Sequence, residues 1–301
     1  MWIGVRQRFR ALTDDLVPTS GQLSDGLTKH LNVGKSLQRT YYGESDERPP
    51  CFLVGSWGKN TQVRPPQDVD MFFVLPSEVK ARFDLRTGNI QSALLQEVKG
   101  ALEQTYPQTR IRGDGQVVSV GFNTVTVEVV PAFVAAFGGQ FIMPDTNGGG
   151  SWKFVDPVAQ MQAIQAADQA TAGNTRALSR IMKHWRNHCA VPLKSFVLEL
   201  LVADFISTYR LGTGFSGAYD TYWYDYYVRD FLGYLIGRAN GFLAIPGTGE
   251  SYFLWDDWLP KATTAWNVAV VACGHEVQDF TILAGEEWQK LFGNRIPVHV
   301  L

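Results

Sequence analysis

Two aspartates, Asp68 and Asp70, stand where an apolar run of the chain begins, and that run continues to residue 75. If the run is a β-strand, residues two apart point to the same side, so the two carboxylates lie next to each other on one face. Neighbouring carboxylates repel each other and persist mainly where a cation lies between them. Hard oxygen ligands at this spacing suit Mg²⁺. The pair therefore predicts a divalent-cation site.

A second feature, the dipeptide Gly55-Ser56, ends a shorter apolar run at residues 51–54. Glycine allows the backbone to approach a ligand closely, exposed N–H groups attract an anion, and the serine hydroxyl can bond a phosphate oxygen. A phosphate-binding turn followed by two carboxylates predicts a nucleoside triphosphate held by its phosphates, with Mg²⁺ bridging them.

A third acid, Glu128, lies in a segment where valines at 125, 127 and 129 alternate with threonines and this glutamate. A third carboxylate allows a second metal ion, and two ions can activate an attacking hydroxyl and stabilise a leaving pyrophosphate. Each of these features alone is common at the end of an ordinary strand. Only their ordered combination predicts nucleotidyl transfer.

The elements that must position these residues follow from periodicity. Helical spacing of leucines predicts a long helix at 20–45, and further helices are expected at 89–105, 175–188 and 193–209. Apolar runs predict strands at 51–54, 69–75, 117–122 and 125–130, the last two as a hairpin. Asp156 and Pro157 have the residue types of a helix N-cap and first helical position. The order predicts an α+β protein whose glycine-rich loop at 144–151 separates a mixed lobe (1–150) from a helical lobe (151–301).

Composition excludes or disfavours several classes of protein and of partner. The 301 residues include 27 Lys and Arg against 29 Asp and Glu, a formal net charge of −2, which disfavours a long nucleic acid as partner. Hydrophobic residues make up 45% of the chain, which excludes a disordered protein. The three cysteines are dispersed, the N-terminus has no apolar signal-peptide core, and acids interrupt the most apolar stretch. These features predict a cytoplasmic protein without a membrane segment.

Taken together, these motifs resemble those of the nucleotidyltransferase superfamily that includes DNA polymerase beta. More narrowly, the chain resembles the group of oligoadenylate synthase, cyclic GMP-AMP synthase and their bacterial relatives, the CD-NTases of anti-phage CBASS defence. The resemblance covers most of the chain and rests on these segments: GSWGKNT at 55–61, DVD at 68–70, VEVVPAF at 127–133, SWKFVDP at 151–157, ALSRIMKHWR at 177–186, KSFVLELL at 194–201 and LWDDWLPKATTAWNV at 254–268.

The resemblance implies a polymerase-beta-like nucleotidyltransferase lobe, a mixed sheet with helices, packed on a helical lobe and bridged to it by the long N-terminal helix as a spine. It also implies roles for single residues. Gly55 and Ser56 would contact the triphosphate, Asp68, Asp70 and Glu128 would ligate two Mg²⁺ ions (with Mn²⁺ as an alternative), Lys183 and Ser195 would bind the donor phosphates, and Lys59 would add positive charge there. Without the resemblance, Lys183 fits an ordinary solvated helix face equally well.

Two departures from the family pattern stand out. Glu128 is one methylene longer than the aspartate that is commoner at its position, which leaves the metal geometry open. Asp256-Asp257 replaces an Asp-Pro dipeptide, which leaves the role of that loop open.

The activity implied by the resemblance is Mg²⁺-dependent synthesis of a cyclic di- or trinucleotide second messenger from ATP, GTP or pyrimidine nucleoside triphosphates, with release of pyrophosphate. A monomer working with CBASS accessory and effector proteins is expected. Two alternatives remain open. One is nucleotidyl transfer to RNA or a small molecule, which the net charge disfavours for RNA. The other is a nucleotide-binding scaffold without catalysis, which nothing favours since all three acids are present.

Overall fold

The chain begins with two helices, α1 (Ile3–Leu16) and α2 (Ser20–Tyr42), in a computed structural model that describes residues 3–43, 48–136, 139–209 and 223–300. A capping box starts α2: the Thr19 hydroxyl accepts from the Gln22 N–H at 3.2 Å, and the Gln22 side chain accepts from the Thr19 N–H at 2.9 Å. The sequence predicted α2 but not α1. Residues 44–45, expected to end the long helix, lie outside the described residues.

Seven strands form one mixed sheet in the order β1-β2-β5-β4-β3, with β6 paired to β5 and β7 paired to β6. They are β1 (Cys51–Leu53), β2 (Asp68–Val74), β3 (Arg110–Asp114), β4 (Val117–Gly121), β5 (Thr126–Val134), β6 (Phe141–Asp145) and β7 (Ser151–Val155). The central pair, β2 and β5, is parallel, and the other pairs are antiparallel. The predicted hairpin is confirmed as β4 and β5.

Strand alternation gives β2 two different faces. Val69 and Met71 are fully buried in the core beneath the sheet, whereas Asp68 and Asp70 point to the other side. Farther along, that second face becomes apolar: Phe72 packs in a small cluster with β5 residue Val130. The acidic end of the face is therefore the part left available for a site.

The glycine-rich loop at residues 144–151 connects two strands of the sheet. It is the turn of the hairpin formed by β6 and β7, with a short 3₁₀ turn at Asn147–Gly149. The division expected at residue 150 falls inside this hairpin, and the helical part of the chain begins after it. There the Asp156 side chain accepts from the Ala159 N–H at 2.8 Å, with Pro157 as the first helical residue, as predicted.

Nine further α-helices, a two-stranded ribbon and a 3₁₀ turn at Gly293–Arg295 complete the elements of the described residues. The helices are α3 (Gly55–Lys59), α4 (Ser77–Asp84), α5 (Ile90–Thr105), α6 (Pro157–Ala170), α7 (Asn174–His188), α8 (Ser195–Thr208), α9 (Tyr224–Ile236), α10 (Leu259–Val277) and α11 (Thr281–Phe292), and the ribbon is β8 (Phe242–Ala244) with β9 (Ser251–Phe253). The three helices predicted at 89–105, 175–188 and 193–209 are confirmed as α5, α7 and α8.

Two hydrophobic cores result. One lies between the sheet and helices α2, α4 and α5, and the other gathers α1 with α6 to α11. Because α2 packs against β2, β5 and α5 while α1 packs against α7 and α9, the two N-terminal helices together contact both cores. Within the described ranges, every helix is too short or too polar to cross a lipid bilayer.

Candidate active site

A cleft of about 620 Å³ opens where the sheet meets helices α7 and α8. Seven of the eight residues predicted for the site line it, together with several that were not predicted. From the sheet side these are Gly55, Ser56, Lys59, Asp68 and Asp70, and from the helical side Lys183, Arg186, Ser195, Phe196 and Glu199. Glu128, the remaining predicted residue, is not part of the lining.

The start of α3 is fixed directly against strand β2. The Val54 N–H donates to the Asp70 carbonyl at 2.9 Å, and the Trp57 indole N–H donates to the Asp68 carbonyl at 2.8 Å. The backbone N–H of Ser56 donates to the Asp70 carboxylate and lowers its pKa in part. The predicted turn is thus a five-residue helix, and one of its N–H groups already serves a carboxylate.

The three acids are neighbours through the strand register. Asp70 lies opposite Glu128 on the parallel pair β2 and β5, and Asp68 lies two residues earlier on the same face. Burial, and then the charge of Asp68, raise the pKa of Asp70, against the lowering effect of Lys183 and Lys59. Burial and the charges of Asp70 and Asp68 raise the pKa of Glu128, and burial raises that of Asp68. The ionised acids are therefore short of positive charge.

This donor set fits a hard divalent cation, because Mg²⁺ and Mn²⁺ prefer carboxylate oxygens. Asp68 and Asp70 lie in the cleft lining, and the Glu128 carboxylate accepts instead from the Ser119 hydroxyl at 3.4 Å. In the part of the chain that the structure describes, no group of three or more His, Cys, Asp or Glu side chains is arranged around one metal position. The fit rests on the chemistry of the oxygen donors and their shared lack of counter-charge.

The two lysines of the cleft are buried. Lys59 is 4% exposed and Lys183 is 7% exposed, so the interpretation of Lys183 as part of a solvated helix face is wrong. Both ammonium groups contact Glu199, Lys59 at 2.5 Å and Lys183 at 2.8 Å. On the neighbouring helix, the Ser195 hydroxyl accepts from Arg186 Nη1 at 2.7 Å.

Glu199 of the cleft lining and Thr61, which contacts it, received no role from the sequence, and Arg186 was expected only as part of a basic stripe on one helix face with Lys183. Glu199 follows Ser195 by four residues in KSFVLELL, the spacing that places two residues on one helix face, so a signal for it existed. Arg186 follows Lys183 by three residues, again on one face. Thr61, which donates to Glu199 Oε1 at 2.5 Å, lies in a loop where no periodicity applies.

Comparison with known sequences gives two matches. A family model described as Second Messenger Oligonucleotide or Dinucleotide Synthetase domain matches residues 3–168. A probable cyclic nucleotide synthase of Bacillus cereus is 26% identical over 180 residues, which are 50% of this chain and 54% of that protein. The match spans about half the length of this relative.

Solved structures show the same fold. CdnC of Escherichia coli MS115-1, in complex with HORMA-deltaN, has a TM-score of 0.71 at 18% identity, covering 96% of each chain. The CdnE cyclic dinucleotide synthase of Elizabethkingia meningoseptica, with GTP and Apcpp, has a TM-score of 0.62 at 17% identity, covering 87% of this chain and 97% of that one. DncV cyclic AMP-GMP synthase of Vibrio cholerae, with nonhydrolyzable GTP, has a TM-score of 0.63 at 14% identity, covering 98% and 88%. The predicted α+β, polymerase-beta-like fold is confirmed.

Proposed function

The chain belongs to the family of second messenger oligonucleotide or dinucleotide synthetase domains, and on that basis we propose that it joins nucleoside triphosphates into a cyclic di- or trinucleotide and releases pyrophosphate. One observation carries the proposal: a single cleft brings the carboxylates of Asp68 and Asp70 together with the buried ammonium groups of Lys59 and Lys183. A triphosphate needs cations along its phosphates, and an attacking ribose hydroxyl needs a group that accepts its proton.

The lysines and hydroxyl groups of the cleft are suited to the donor triphosphate. The Ser56 hydroxyl, beside Gly55, and the Ser195 hydroxyl can each bond a phosphate oxygen from opposite sides of the cleft. Lys183 and Lys59 line the same cleft and would neutralise the charge of the leaving pyrophosphate. Their burial strengthens the attraction, because low dielectric surroundings screen charges weakly.

The three acids on the sheet are suited to the acceptor. The pKa of Asp70 and that of Glu128 are both raised, so these carboxylates take up a proton more readily than ordinary ones. A carboxylate with that property can accept the proton of a ribose hydroxyl as the new bond forms. Asp68, Asp70 and Glu128 would hold Mg²⁺ or Mn²⁺, and such ions neutralise phosphate charge and make a bound hydroxyl more acidic.

The cellular role is also part of the proposal. One solved structure with this fold contains CdnC with a HORMA protein, and others contain nucleotides. By analogy, the chain would act in the cytoplasm as a monomeric CBASS enzyme, with accessory and effector proteins as partners. The sheet-containing lobe and the helical lobe, which begins at α6 after the hairpin of β6 and β7, would enclose the nucleotides between them.

Product analysis tests the proposal. The protein is incubated with each radiolabelled nucleoside triphosphate, alone and in mixtures, with MgCl₂ or MnCl₂, and the products are treated with phosphatase and identified by mass spectrometry. Phosphatase-resistant cyclic product is expected. Asp68→Asn combined with Asp70→Asn is the matched control, because it preserves side-chain volume while removing both charges, and it should yield no product.

Other results would redirect the assignment. Label transferred to added RNA or to a small acceptor would replace the cyclase activity by tailing or modification. Absence of any product with all four nucleotides and both metals, together with tight nucleotide binding, would leave a non-catalytic scaffold. Full activity of the double variant would refute the role of the two aspartates.

A further inference from the structure

The carboxylate of Glu199 lies at the junction of the sheet and the helices, only 1% exposed. It accepts three charged or polar donors: Lys59 Nζ on Oε2 at 2.5 Å, and Lys183 Nζ at 2.8 Å and the Thr61 hydroxyl at 2.5 Å on Oε1. Two of these donors come from the segment around α3, whereas Lys183 and Glu199 belong to helices α7 and α8. One buried carboxylate thus joins both sides of the cleft.

Neither lysine uses all of its N–H donors on this carboxylate. An ammonium group has three N–H donors. The contacts seen for Lys59 Nζ use one of them, and those for Lys183 Nζ use two, the second reaching the Thr61 carbonyl at 3.0 Å. Both lysines line the cleft, so their remaining donors are available to an anion that enters it.

The charges explain why a carboxylate is needed at this position. Two ammonium groups held this close in a buried site repel each other unless an anion lies between them. Burial raises the pKa of Glu199, but Lys183 and Lys59 lower it further, to about 2, so the residue stays ionised. One negative charge against two positive charges leaves a net positive site rather than a neutral ion pair.

We propose that Glu199 is a positioning residue that holds Lys59 and Lys183 side by side so that their free donors face the triphosphate. The inference rests on the proposed function, since it presupposes a polyphosphate ligand in the cleft. Glu199 acts through the two lysines and forms no bond with the substrate. The Lys59 side chain, which extends from the glycine–serine helix, is thereby placed beside Lys183 of the facing helix α7.

Calorimetric titration with inorganic tripolyphosphate tests this inference, because that ligand has the phosphates of the substrate without base or sugar. Glu199→Gln preserves the volume and removes the charge, and we expect tripolyphosphate to bind about 10-fold more weakly or worse. The KM for nucleoside triphosphates should rise in parallel, with a smaller change in kcat. Circular dichroism in the near and far ultraviolet confirms that the variant is folded.

Thr61→Val is the matched control. It removes the third donor to the same carboxylate but leaves both lysines and the Thr61 carbonyl in place, so tripolyphosphate affinity should stay within about threefold of wild type. An equal loss in both variants would show that Glu199 acts only through local packing and would overturn the inference.

The remaining outcomes distinguish failure of the proposed function from failure of the inference about Glu199. Wild-type protein that binds neither tripolyphosphate nor any nucleoside triphosphate contradicts the proposed function and, with it, the inference. Wild-type binding with unchanged affinity of Glu199→Gln contradicts the inference alone. If Glu199→Gln does not fold, Glu199→Asp retains the charge but withdraws it by one methylene, and an affinity equal to wild type would again overturn the positioning role.

Discussion

Asp70 occupies the space that any side chain at Gly55 would need. A Cβ atom built on Gly55 would lie 2.0 Å from Asp70 Oδ2, far inside van der Waals contact, and the backbone of Gly55 has a φ of +55° that favours glycine. The position of the proposed catalytic carboxylate therefore depends on the absence of a side chain fifteen residues earlier.

Gly55→Ala is expected to lower activity by about 100-fold or more, because the methyl group must displace the Asp70 carboxylate and a misplacement of about 1 Å is enough for such losses. Gly88→Ala is the matched control: its φ is +83°, yet no atom lies within 4 Å of the added methyl. Both variants share a cost of about 1–2 kcal/mol for a positive φ. Steady-state kinetics with thermal unfolding separate the two effects, and equal activity losses would contradict the steric argument.

Asp70→Asn is expected to raise the stability of the cation-free protein. Because the pKa of Asp70 is raised, chiefly by burial and the Asp68 charge, the ionised form is penalised at neutral pH. This penalty decreases as the pH falls through the folded pKa and is absent below the lower, unfolded pKa. Removing this penalty should raise the urea midpoint of the cation-free protein at neutral pH. Mg²⁺ should raise the thermal midpoint of wild type but not of the variant.

Asp84→Asn controls for loss of a carboxylate outside the cleft. Asp84 forms an exposed helical pair with Lys80, so this variant should respond to Mg²⁺ as wild type does. A Mg²⁺-induced shift that survives in Asp70→Asn would show that this aspartate is not a cation ligand.

Glu199 should make stability depend on pH in acid. Its pKa is lowered to about 2, since Lys183 and Lys59 outweigh the raising effect of burial. The stability it contributes is therefore fully present above the ordinary glutamate pKa of about 4.3 and is lost as the pH falls towards 2. The gap in urea midpoint between wild type and Glu199→Gln should shrink from pH 6 to about pH 3.

Glu103→Gln, on the exposed side of α5, provides the comparison for this pH series. The small difference in urea midpoint between Glu103→Gln and wild type should not change comparably with pH. A Glu199→Gln gap that stays constant across the whole series would contradict the ion-pair explanation.

We expect Arg8 to stabilise the packing of helix α1 against the C-terminal segment. Its side chain is fully buried, and it donates to Glu276 Oε1 at 3.0 Å, to the Val298 carbonyl at 2.9 Å and to the Thr281 carbonyl at 2.7 Å. Arg8→Met leaves the Glu276 carboxylate buried without its partner, at an expected loss of about 3–5 kcal/mol. Urea unfolding measures this change in the free energy of unfolding.

Arg10→Met changes the same residue type on the same helix. Its guanidinium is exposed and lies 3.8 Å from Asp14, so the unfolding midpoint should stay at the wild-type value. Equal losses in the two variants would mean that the buried network contributes no more than the helix itself.

Local patterns of the sequence were sufficient to find the acidic face. Alternation in a strand depends only on residue order, so the spacing of Asp68 and Asp70 was enough to place their carboxylates side by side. The helix start at Asp156 and Pro157 is local in the same sense, and so are the periodicities of α5, α7 and α8. Helix α1 was not predicted, although its fully buried residues Val5, Phe9, Leu12 and Leu16 recur at helical spacing and so provided a signal of the same local kind.

Contacts between distant parts of the chain could not be obtained in this way. Glu199 meets Lys59 across 140 positions, and the choice between a solvated and a buried Lys183 depends on which surface helix α7 turns towards the sheet. The side-chain placement of Glu128 beside Ser119, outside the cleft lining, likewise follows from the pairing of β4 with β5. Residue order thus determined the chemical inventory of the site, because strand and helix periods act over a few residues. Tertiary packing decided which charges meet, because burial and electrostatic pairing depend on distances between residues far apart in the chain, which periodicity over a few residues does not give.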